Sequence, residues 1–221
     1  MNQPPAIFCI GRNYAAHAAE MNADLPDTPT VFMKNPASII GHTDDIVIPD
    51  ICHEHGPQVD FEGELAAIIG RDAKNVAESE ALDFVSGWAV ANDVSARWWQ
   101  KKGSGGQWIR GKSFDTFCPL SKPISAEHIQ DPQSLTITTT VSGEVMQDAN
   151  TADMIFSVAT LIAELSRGTT LQAGTVLLTG TPSGVGAART PPRFLRDGDV
   201  VEVSIEGLGT LRNTVRDPHA N

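Results

Sequence analysis

Cysteine is scarce in this sequence, and the few that occur are not arranged in pairs. The 221 residues contain three, Cys9, Cys52 and Cys118. Their spacing gives neither a C-x-x-C pair nor a disulfide framework. Disulfides are common in secreted proteins and rare in the reducing cytoplasm, so the cysteine content predicts a cytoplasmic location.

Long apolar runs are also missing. No stretch approaches the roughly 20 consecutive apolar residues that a helix needs to cross a bilayer. The first residues, MNQPPAIFCIG, lack the basic start and long apolar core of a signal peptide. We therefore expect a soluble protein without a membrane-spanning segment.

Basic residues are few relative to acidic ones. Sixteen lysines and arginines face 27 aspartates and glutamates, which gives a formal net charge of −11. Nucleic acids and anionic membrane surfaces attract basic patches, so neither is expected as a partner. A small anionic substrate stays possible if a metal ion or a few cationic side chains reverse the field locally.

The remaining pattern predicts one strand-rich α+β domain over residues 1–221, without repeats or linkers. A short strand at residues 7–10 precedes an alanine-rich helix with Asn13 as its N-cap. Residues 98–119 contain many glycines and predict a mobile loop. The segment NTADMIFSVATLIAELSRG predicts the strongest helix, ended by Gly168. LTITTTVSGEV and GDVVEVSIEGLGTLRNTV predict hairpins.

Three acids alternate in VDFEGELAAIIG, just before an apolar segment. In a continuous strand over residues 59–69, Asp60, Glu62 and Glu64 would share one face. Two neighbouring buried carboxylates repel each other unless a proton or a cation joins them, and Mg²⁺ prefers such oxygen ligands. A solvent-facing strand edge would explain the same pattern, so the motif by itself leaves both interpretations open.

Two further stretches extend this hypothesis. Asp93 ends the apolar strand in AVANDVS and would supply a third carboxylate, although an Asn-Asp turn or helix cap is a common alternative. Lys112 follows the glycine-rich loop. A lone lysine is usually a solvated surface charge, but beside a metal it could neutralise a substrate carboxylate or an enolate.

His17 and Glu20 lie three residues apart on the predicted alanine-rich helix and so share one face. A carboxylate orients an imidazole and makes it a better general base. An exposed polar pair on a surface helix is the alternative.

Three other motifs give weaker indications of function. The adjacent His53, Glu54 and His55 cannot easily converge on one ion, and we interpret them as a polar loop. The loop GTPSGVG lacks the residues of a P-loop or a dinucleotide fingerprint, so no nucleotide is predicted. Trp98, Trp99 and Trp108 could line a pocket, pack in the core or form an interface.

Several stretches, in this order, resemble the fumarylacetoacetate hydrolase family: IGRNYAAHAAEM, VDFEGELAAIIG, NDVSARWWQ, QWIRGKSFDTFCPL, LLTGTPSGVG and PPRFLRDGDVVEVSIEGLGTLRN. The resemblance covers residues 7–215. It implies a mixed β-sandwich roll with a short N-terminal lid helix, usually as a homodimer. It also implies an Mg²⁺ or Mn²⁺ site formed by Glu62, Glu64 and Asp93.

The resemblance assigns roles to the other candidates. It implies a lid over residues 11–28 that carries His17 and Glu20, with Lys112 as the third catalytic residue. It implies substrate contacts for a further group: Arg12, Arg97, Gln100 and Thr181.

The family performs several reactions on small anionic 2-oxo acids. The His17–Glu20 pair favours hydrolysis of a C–C bond in an acylpyruvate such as fumarylpyruvate, because activation of water needs a base. Isomerisation of hydroxymuconate-type acids, or decarboxylation of oxaloacetate, is the alternative. A non-catalytic metal-binding homologue is a more remote one, since none of the implied site residues is missing.

Overall fold

The computed structural model describes residues 3–220. Its strands are β1 (Ile7–Gly11), β2 (Thr30–Lys34), β3 (Ile39–Ile40), β4 (Asp45–Val47), β5 (Val59–Asp60), β6 (Gly63–Ile69), β7 (Val85–Asn92), β8 (Ser95–Ala96), β9 (Cys118–Pro119), β10 (Ile124–Ser125), β11 (Thr136–Val141), β12 (Glu144–Asn150), β13 (Val176–Leu178), β14 (Val200–Ile205) and β15 (Gly209–Arg216). Its α-helices are α1 (Ala15–Glu20), α2 (Arg97–Gln100), α3 (Ile109–Lys112) and α4 (Val158–Ser166).

Two larger sheets face each other across the core. The six-stranded sheet has the order β10-β7-β6-β13-β1-β2, and the five-stranded sheet has the order β12-β11-β14-β15-β4. Apolar side chains of both sheets, such as Leu65 and Val90 from the first and Ile137 and Val203 from the second, belong to one buried cluster. The predicted strand-rich α+β sandwich is therefore confirmed.

The opposite face of the six-stranded sheet carries a second apolar cluster. Ile7, Cys9, Ala66 and Leu178 are buried there. Strands β6, β13 and β1 are thus covered on both faces, which is why their sequences are apolar at nearly every position. The polar groups at the ends of these strands are held by a scaffold that is packed on both sides.

The predicted continuous strand over residues 59–69 is wrong in one respect, because it is broken at Phe61 and Glu62. Before the break, β5 pairs with β8; after it, β6 pairs with β7. The chain changes its hydrogen-bonding partner at the point where the acidic residues lie. The Glu62 N–H donates to the side-chain oxygen of Asn92 instead of to a backbone carbonyl oxygen of a neighbouring strand.

Three other sequence-based expectations need correction. Asn13 does not cap α1; its side chain holds the backbone of Phe156 and Thr179 instead. The strong helix is shorter than predicted, since α4 begins only at Val158 after Ser157 caps it. The segment predicted as a mobile loop contains α2 and α3.

The two predicted hairpins are confirmed as β11–β12 and β14–β15. The first turns at Ser142 and Gly143, and both have positive φ, which matches the right-handed twist of the flanking strands. Gly168, with a φ of 70°, follows the end of α4 as predicted.

Candidate active site

The three predicted metal ligands meet at one end of the six-stranded sheet. Glu62 precedes β6, Glu64 lies within it, and Asp93 follows β7 directly. Because β6 and β7 are antiparallel neighbours, the start of one lies beside the end of the other. One carboxylate oxygen from each residue lies within 4.8 Å of the others, and all three side chains are buried. Within residues 3–220 this is the one such group of potential ligands.

Three buried cations surround these carboxylates. The Lys112 ammonium donates to Glu62 Oε2 at 2.6 Å and to Asp93 Oδ2 at 2.7 Å. Arg97 Nη1 donates to Glu62 Oε1 at 2.6 Å. The Lys34 ammonium donates to Asp93 Oδ1 at 2.5 Å. Buried charges persist in proteins when they are paired and hydrogen-bonded in this way.

Glu62 and Glu64 respond to this environment in opposite directions. Burial disfavours ionised Glu62, but the nearby Lys112 and Arg97 outweigh it and hold its pKa well below the usual range. Burial and repulsion from Asp93 and Glu62 raise the pKa of Glu64. Glu64 has one hydrogen bond to compensate, from the Gly180 N–H at 2.7 Å. The triad therefore lacks positive charge beside Glu64.

A divalent metal ion fits this deficit. The donors are three carboxylates, which suit a hard cation such as Mg²⁺ or Mn²⁺. A cation held by the three carboxylates would stabilise ionised Glu64. Glu62, Glu64 and Asp93 are thus the residues that would hold the ion.

Asp60, which the sequence left without a role, does not join the triad. Its carboxylate accepts from Arg97 Nε at 2.8 Å and from the backbone N–H groups of Gly186 and Ala187 at 2.8 and 3.0 Å. Both oxygens are therefore occupied. Asp60 fixes the guanidinium of Arg97, which donates to Glu62. Asp60 thus helps to orient the candidate metal ligand Glu62 through Arg97.

The glycine-rich loop after β13 gathers carboxylates through its backbone. Gly180 donates to Glu64, Gly186 donates to Asp60, and the Gly184 N–H donates to Glu20 Oε2 at 2.8 Å. Gly184 has a φ of 108°, and a Cβ there would lie 2.0 Å from the Met146 oxygen, so only glycine fits. This loop therefore links Glu64 of the triad with Glu20 of α1.

The proposed acid–base pair lies on α1, as predicted. His17 Nδ1 and Glu20 Oε1 are 2.7 Å apart. The imidazole is buried rather than exposed. Nε2 forms no hydrogen bond within residues 3–220, so it is the ring nitrogen left to accept a proton.

A cavity of about 210 Å³ brings most of the predicted residues together. His17, Glu62 and Lys112 line its wall, as do all four residues that the resemblance implies as substrate contacts. Trp108 lines it too, whereas Trp98 stacks on His55 with ring centroids 3.6 Å apart.

The implied substrate contacts differ in how much of their polar surface is already engaged. Arg97 bonds Asp60, Glu62 and the Gln100 side chain. The Thr181 hydroxyl donates to the Gly63 oxygen at 2.9 Å and accepts from Gln147 at 2.8 Å. Thr181 would therefore meet a ligand mainly through its backbone.

Sequence reasoning missed Lys34, which holds one oxygen of Asp93. One signal existed: Lys34 lies two residues after Phe32 in TVFMK, so in a strand the two side chains share one face, which is the less exposed face here. In the ICHEHG loop, His53 pairs with Asp217 at 3.0 Å, and the group of potential metal ligands found within residues 3–220 lies elsewhere.

None of the helices in the described residues is both long and apolar enough to cross a bilayer.

The sequence is similar to those of known enzymes along almost its whole length. The mitochondrial oxaloacetate tautomerase fahd2 of Xenopus laevis is 47% identical over 216 residues, covering 97% of this chain and 66% of the relative. The oxaloacetate tautomerase YisK of Bacillus subtilis is 44% identical over 212 residues, covering 95% and 69%. The chain thus spans about two thirds of the length of these relatives.

The fold is also similar to that of a solved enzyme structure. The 5-carboxymethyl-2-hydroxymuconate delta-isomerase from Mycobacterium smegmatis superimposes with a TM-score of 0.85 at 39% identity, covering 99% of this chain and 81% of that one. The profile described as fumarylacetoacetate (FAA) hydrolase C-terminal matches residues 6–216. The chain belongs to the fumarylacetoacetate hydrolase family.

Proposed function

We propose that this protein is a divalent-metal-dependent isomerase that interconverts the keto and enol forms of a small 2-oxo diacid of the oxaloacetate type. The observation that carries the proposal is the cavity lined by both the buried imidazole of His17 and Glu62, the member of the carboxylate triad that reaches the cavity wall. The two tautomerases and the delta-isomerase among the relatives support isomerisation more strongly than the hydrolysis favoured by the sequence.

The metal site would receive the 2-oxo acid end of the substrate. When bound by Glu62, Glu64 and Asp93, the ion would polarise the 2-oxo group and so make the neighbouring C3–H bond more acidic. We propose Mg²⁺ or Mn²⁺ as the ion, on the all-carboxylate donor set.

Proton transfer is the step that the protein's own side chains supply. Nε2 of His17 takes a proton from C3, and the C–H electron pair forms the C2–C3 double bond while the carbonyl pair moves to the C2 oxygen. Nε2 then gives this proton to the C2 oxygen, which completes the enol and regenerates the neutral imidazole, and the reverse sequence returns the keto form. Glu20 fixes the imidazole for this role through its bond to Nδ1.

Lys112 supplies fixed positive charge beside the reacting atoms. Its ammonium is almost fully buried, yet it lines the cavity. Because Glu62 and Asp93 hold it at 2.6 and 2.7 Å, it need not reorganise as negative charge develops on the C2 oxygen. Such preorganised charge in a dry site is a large contribution to catalysis.

Hydrolysis of an acylpyruvate is the second candidate. The His17–Glu20 pair favours it, because a base that accepts a carbon-bound proton can equally deprotonate a water molecule. The homodimer implied by the resemblance stays a prediction.

The test compares substrates under identical conditions. Purified protein with Mg²⁺ is added to freshly dissolved enol oxaloacetate, and the loss of enol absorbance is followed with and without EDTA. We expect a metal-dependent acceleration that His17→Gln removes. Parallel assays measure release of pyruvate from acetylpyruvate and of CO₂ from oxaloacetate. Pyruvate release without tautomerisation would replace the proposal by the second candidate, and no turnover of either substrate would reject both.

A further inference from the structure

We infer that Arg12 is the specificity-determining residue that binds the second, distal carboxylate of a diacid substrate. The inference rests on the proposed function, since it names the part of the same cavity that distinguishes a 2-oxo diacid from a 2-oxo monoacid. Four features of Arg12 lead to it.

The first is the charge balance of the cavity wall. Among the cationic side chains that line it, Lys112 is neutralised by Glu62 and Asp93, and Arg97 is neutralised by Asp60 and Glu62. Arg12 forms no ion pair with any carboxylate of residues 3–220, and its buried Nε has no hydrogen-bond partner there. Of these three side chains, Arg12 is thus the one whose charge is left for a ligand carboxylate to pair.

The second is how Trp108 holds the guanidinium. Arg12 Cζ lies 5.6 Å from the centre of the indole ring. A guanidinium packed against an aromatic ring keeps its N–H groups in its own plane, directed away from its centre. Two of these N–H groups form a fork that matches the two oxygens of a carboxylate. Phe32 supports the indole from the side, with ring centroids 5.3 Å apart.

The third is the fit of Trp108 against the backbone. A Cβ on Gly11 would lie 2.3 Å from the Trp108 ring. Only glycine at this position allows the indole to sit where it meets Arg12. The arrangement of Gly11, Arg12 and Trp108 is therefore specific and would be lost with almost any other residue at 11.

The fourth is the backbone of Arg12 itself, which has a φ of 57°. Left-handed backbone is uncommon outside glycine and costs free energy. Arg12 lies directly between β1 and the lid, so this conformation turns the side chain away from the strand and toward the cavity that it lines.

Lys101 is the rival candidate for the same carboxylate, because it also lines the cavity. Its side chain is exposed, unlike the buried Nε of Arg12. Water already solvates an exposed ammonium, so pairing it gains little. The geometry thus favours Arg12.

The test measures binding without turnover. L-Malate has the carbon skeleton of oxaloacetate with a 2-hydroxyl group, and its 4-methyl ester replaces the distal charge by a neutral ester with one added methyl group. Both are titrated calorimetrically into the Mg²⁺-loaded protein. We expect wild type to bind malate roughly 10- to 100-fold more tightly than the ester, the range of a charge-assisted hydrogen-bond pair.

Variants locate the origin of this preference. Arg12→Gln should bind malate and the ester alike, with the ester affinity within about threefold of wild type. Arg12→Lys, which keeps the charge but loses the fork, should retain part of the preference. Lys102→Gln, the matched charge control outside the cavity, should behave as wild type. Circular dichroism checks that each variant is folded.

The inference is overturned if wild type shows no preference, or if Arg12→Gln keeps it. It is also overturned if Lys101→Gln removes the preference instead, or if Arg12→Gln weakens malate and the ester equally. A clear preference in a protein that does not tautomerise oxaloacetate would reject the proposed function and leave the Arg12 subsite in place. Tautomerisation without the preference would do the reverse.

Discussion

The carboxylate triad and the His17–Glu20 pair each contribute one residue, Glu62 and His17, to the wall of the same cavity, but they are held in different ways. The triad lies at the ends of strands β6 and β7, inside a sheet that is packed on both faces, and buried lysines and arginine fix its oxygens. The pair lies on a six-residue helix that begins without a side-chain cap. Helices of this length are marginal by themselves.

If His17 is the base and α1 is part of a lid, as the sequence predicts, the contrast implies a rigid set of metal ligands beside a movable base. One bond that holds α1 toward the site runs from the Gly184 N–H to Glu20. Low local stability is what a segment needs if it must open for a substrate and close again. The following predictions test whether the two parts can be separated.

The largest expected effect is that of His17→Gln on turnover. Loss of the general base should lower kcat roughly 100- to 10,000-fold. The affinity for Mg²⁺ should stay within a few-fold of wild type, because the triad does not depend on this side chain. Enol-decay kinetics and calorimetric Mg²⁺ titration measure the two quantities separately. His128→Gln, on an exposed turn, is the control. A parallel loss of Mg²⁺ affinity would show that lid and triad form one unit.

Lys34→Met should have the opposite effect and lower Mg²⁺ affinity and stability, because Lys34 supports Asp93 of the triad. It leaves Asp93 Oδ1 without its buried ammonium partner. Removal of one member of a buried ion pair typically costs about 3–5 kcal/mol of stability. Loss of an outer hydrogen bond to a ligand lowers metal affinity roughly 10- to 100-fold. Urea unfolding with and without Mg²⁺ measures both, with the exposed Lys122→Met as control. An unchanged unfolding free energy would contradict the role given to Lys34.

The same two regions explain what the sequence could and could not predict. Glu62, Glu64 and Asp93 were predictable because strand ends and alternation are local signals, and the resemblance supplied their common purpose. The break at Phe61 was not, since it depends on β5 and β6 pairing with different strands. A change of strand partner is a long-range event with no signature in VDFEGEL.

Asn13 and Lys34 show the same limit. Asn13 has the residue type and position of an N-cap, but the distant backbone of Phe156 and Thr179 competes successfully for its amide. Lys34 looks like a surface lysine until Asp93, 59 residues away, is placed against it. The glycine-rich stretch before Lys112 predicted a loop because α2 and α3 are single turns with weak intrinsic preference, stabilised by packing against each other and, for α3, against β2 and β8.

The pH dependence of metal binding should report on Glu64. Its pKa is raised by burial and by Asp93 and Glu62, so over the pH range in which metal-free Glu64 is protonated, the cation must displace a proton. Mg²⁺ affinity should therefore rise with pH, by up to about tenfold per pH unit while Glu64 is protonated. Calorimetric titrations in buffers of different ionisation enthalpy count the released proton. Glu64→Gln binds weakly but should lose this proton release. Affinity that falls with rising pH would contradict the assignment.

Stability without metal should follow from the same two shifts. In the unfolded chain both glutamates titrate near their ordinary value of 4.5. Folding raises the pKa of Glu64. Its contribution to the free energy of unfolding is therefore present below the unfolded pKa and is lost as the pH rises through the raised pKa of the folded state. Folding lowers the pKa of Glu62, so its contribution is present above the unfolded pKa and is lost in acid. Mg²⁺ should offset the loss at Glu64 and leave the acid limb due to Glu62.

The smallest expected effect is that of Ala16→Gly on the exposed side of the lid helix. Glycine costs a helix about 1 kcal/mol relative to alanine, which lowers the closed population by up to about fivefold. We expect kcat/KM to fall by that factor, while Mg²⁺ affinity and global unfolding stay near wild type, because the sheet does not depend on α1. Ala163→Gly in α4 carries the same intrinsic cost in a helix packed on the core. It should lower global stability and leave kcat/KM unchanged. If the two variants behave alike, the lid is as firmly held as the rest of the fold, and its mobility would have to be abandoned as part of the mechanism.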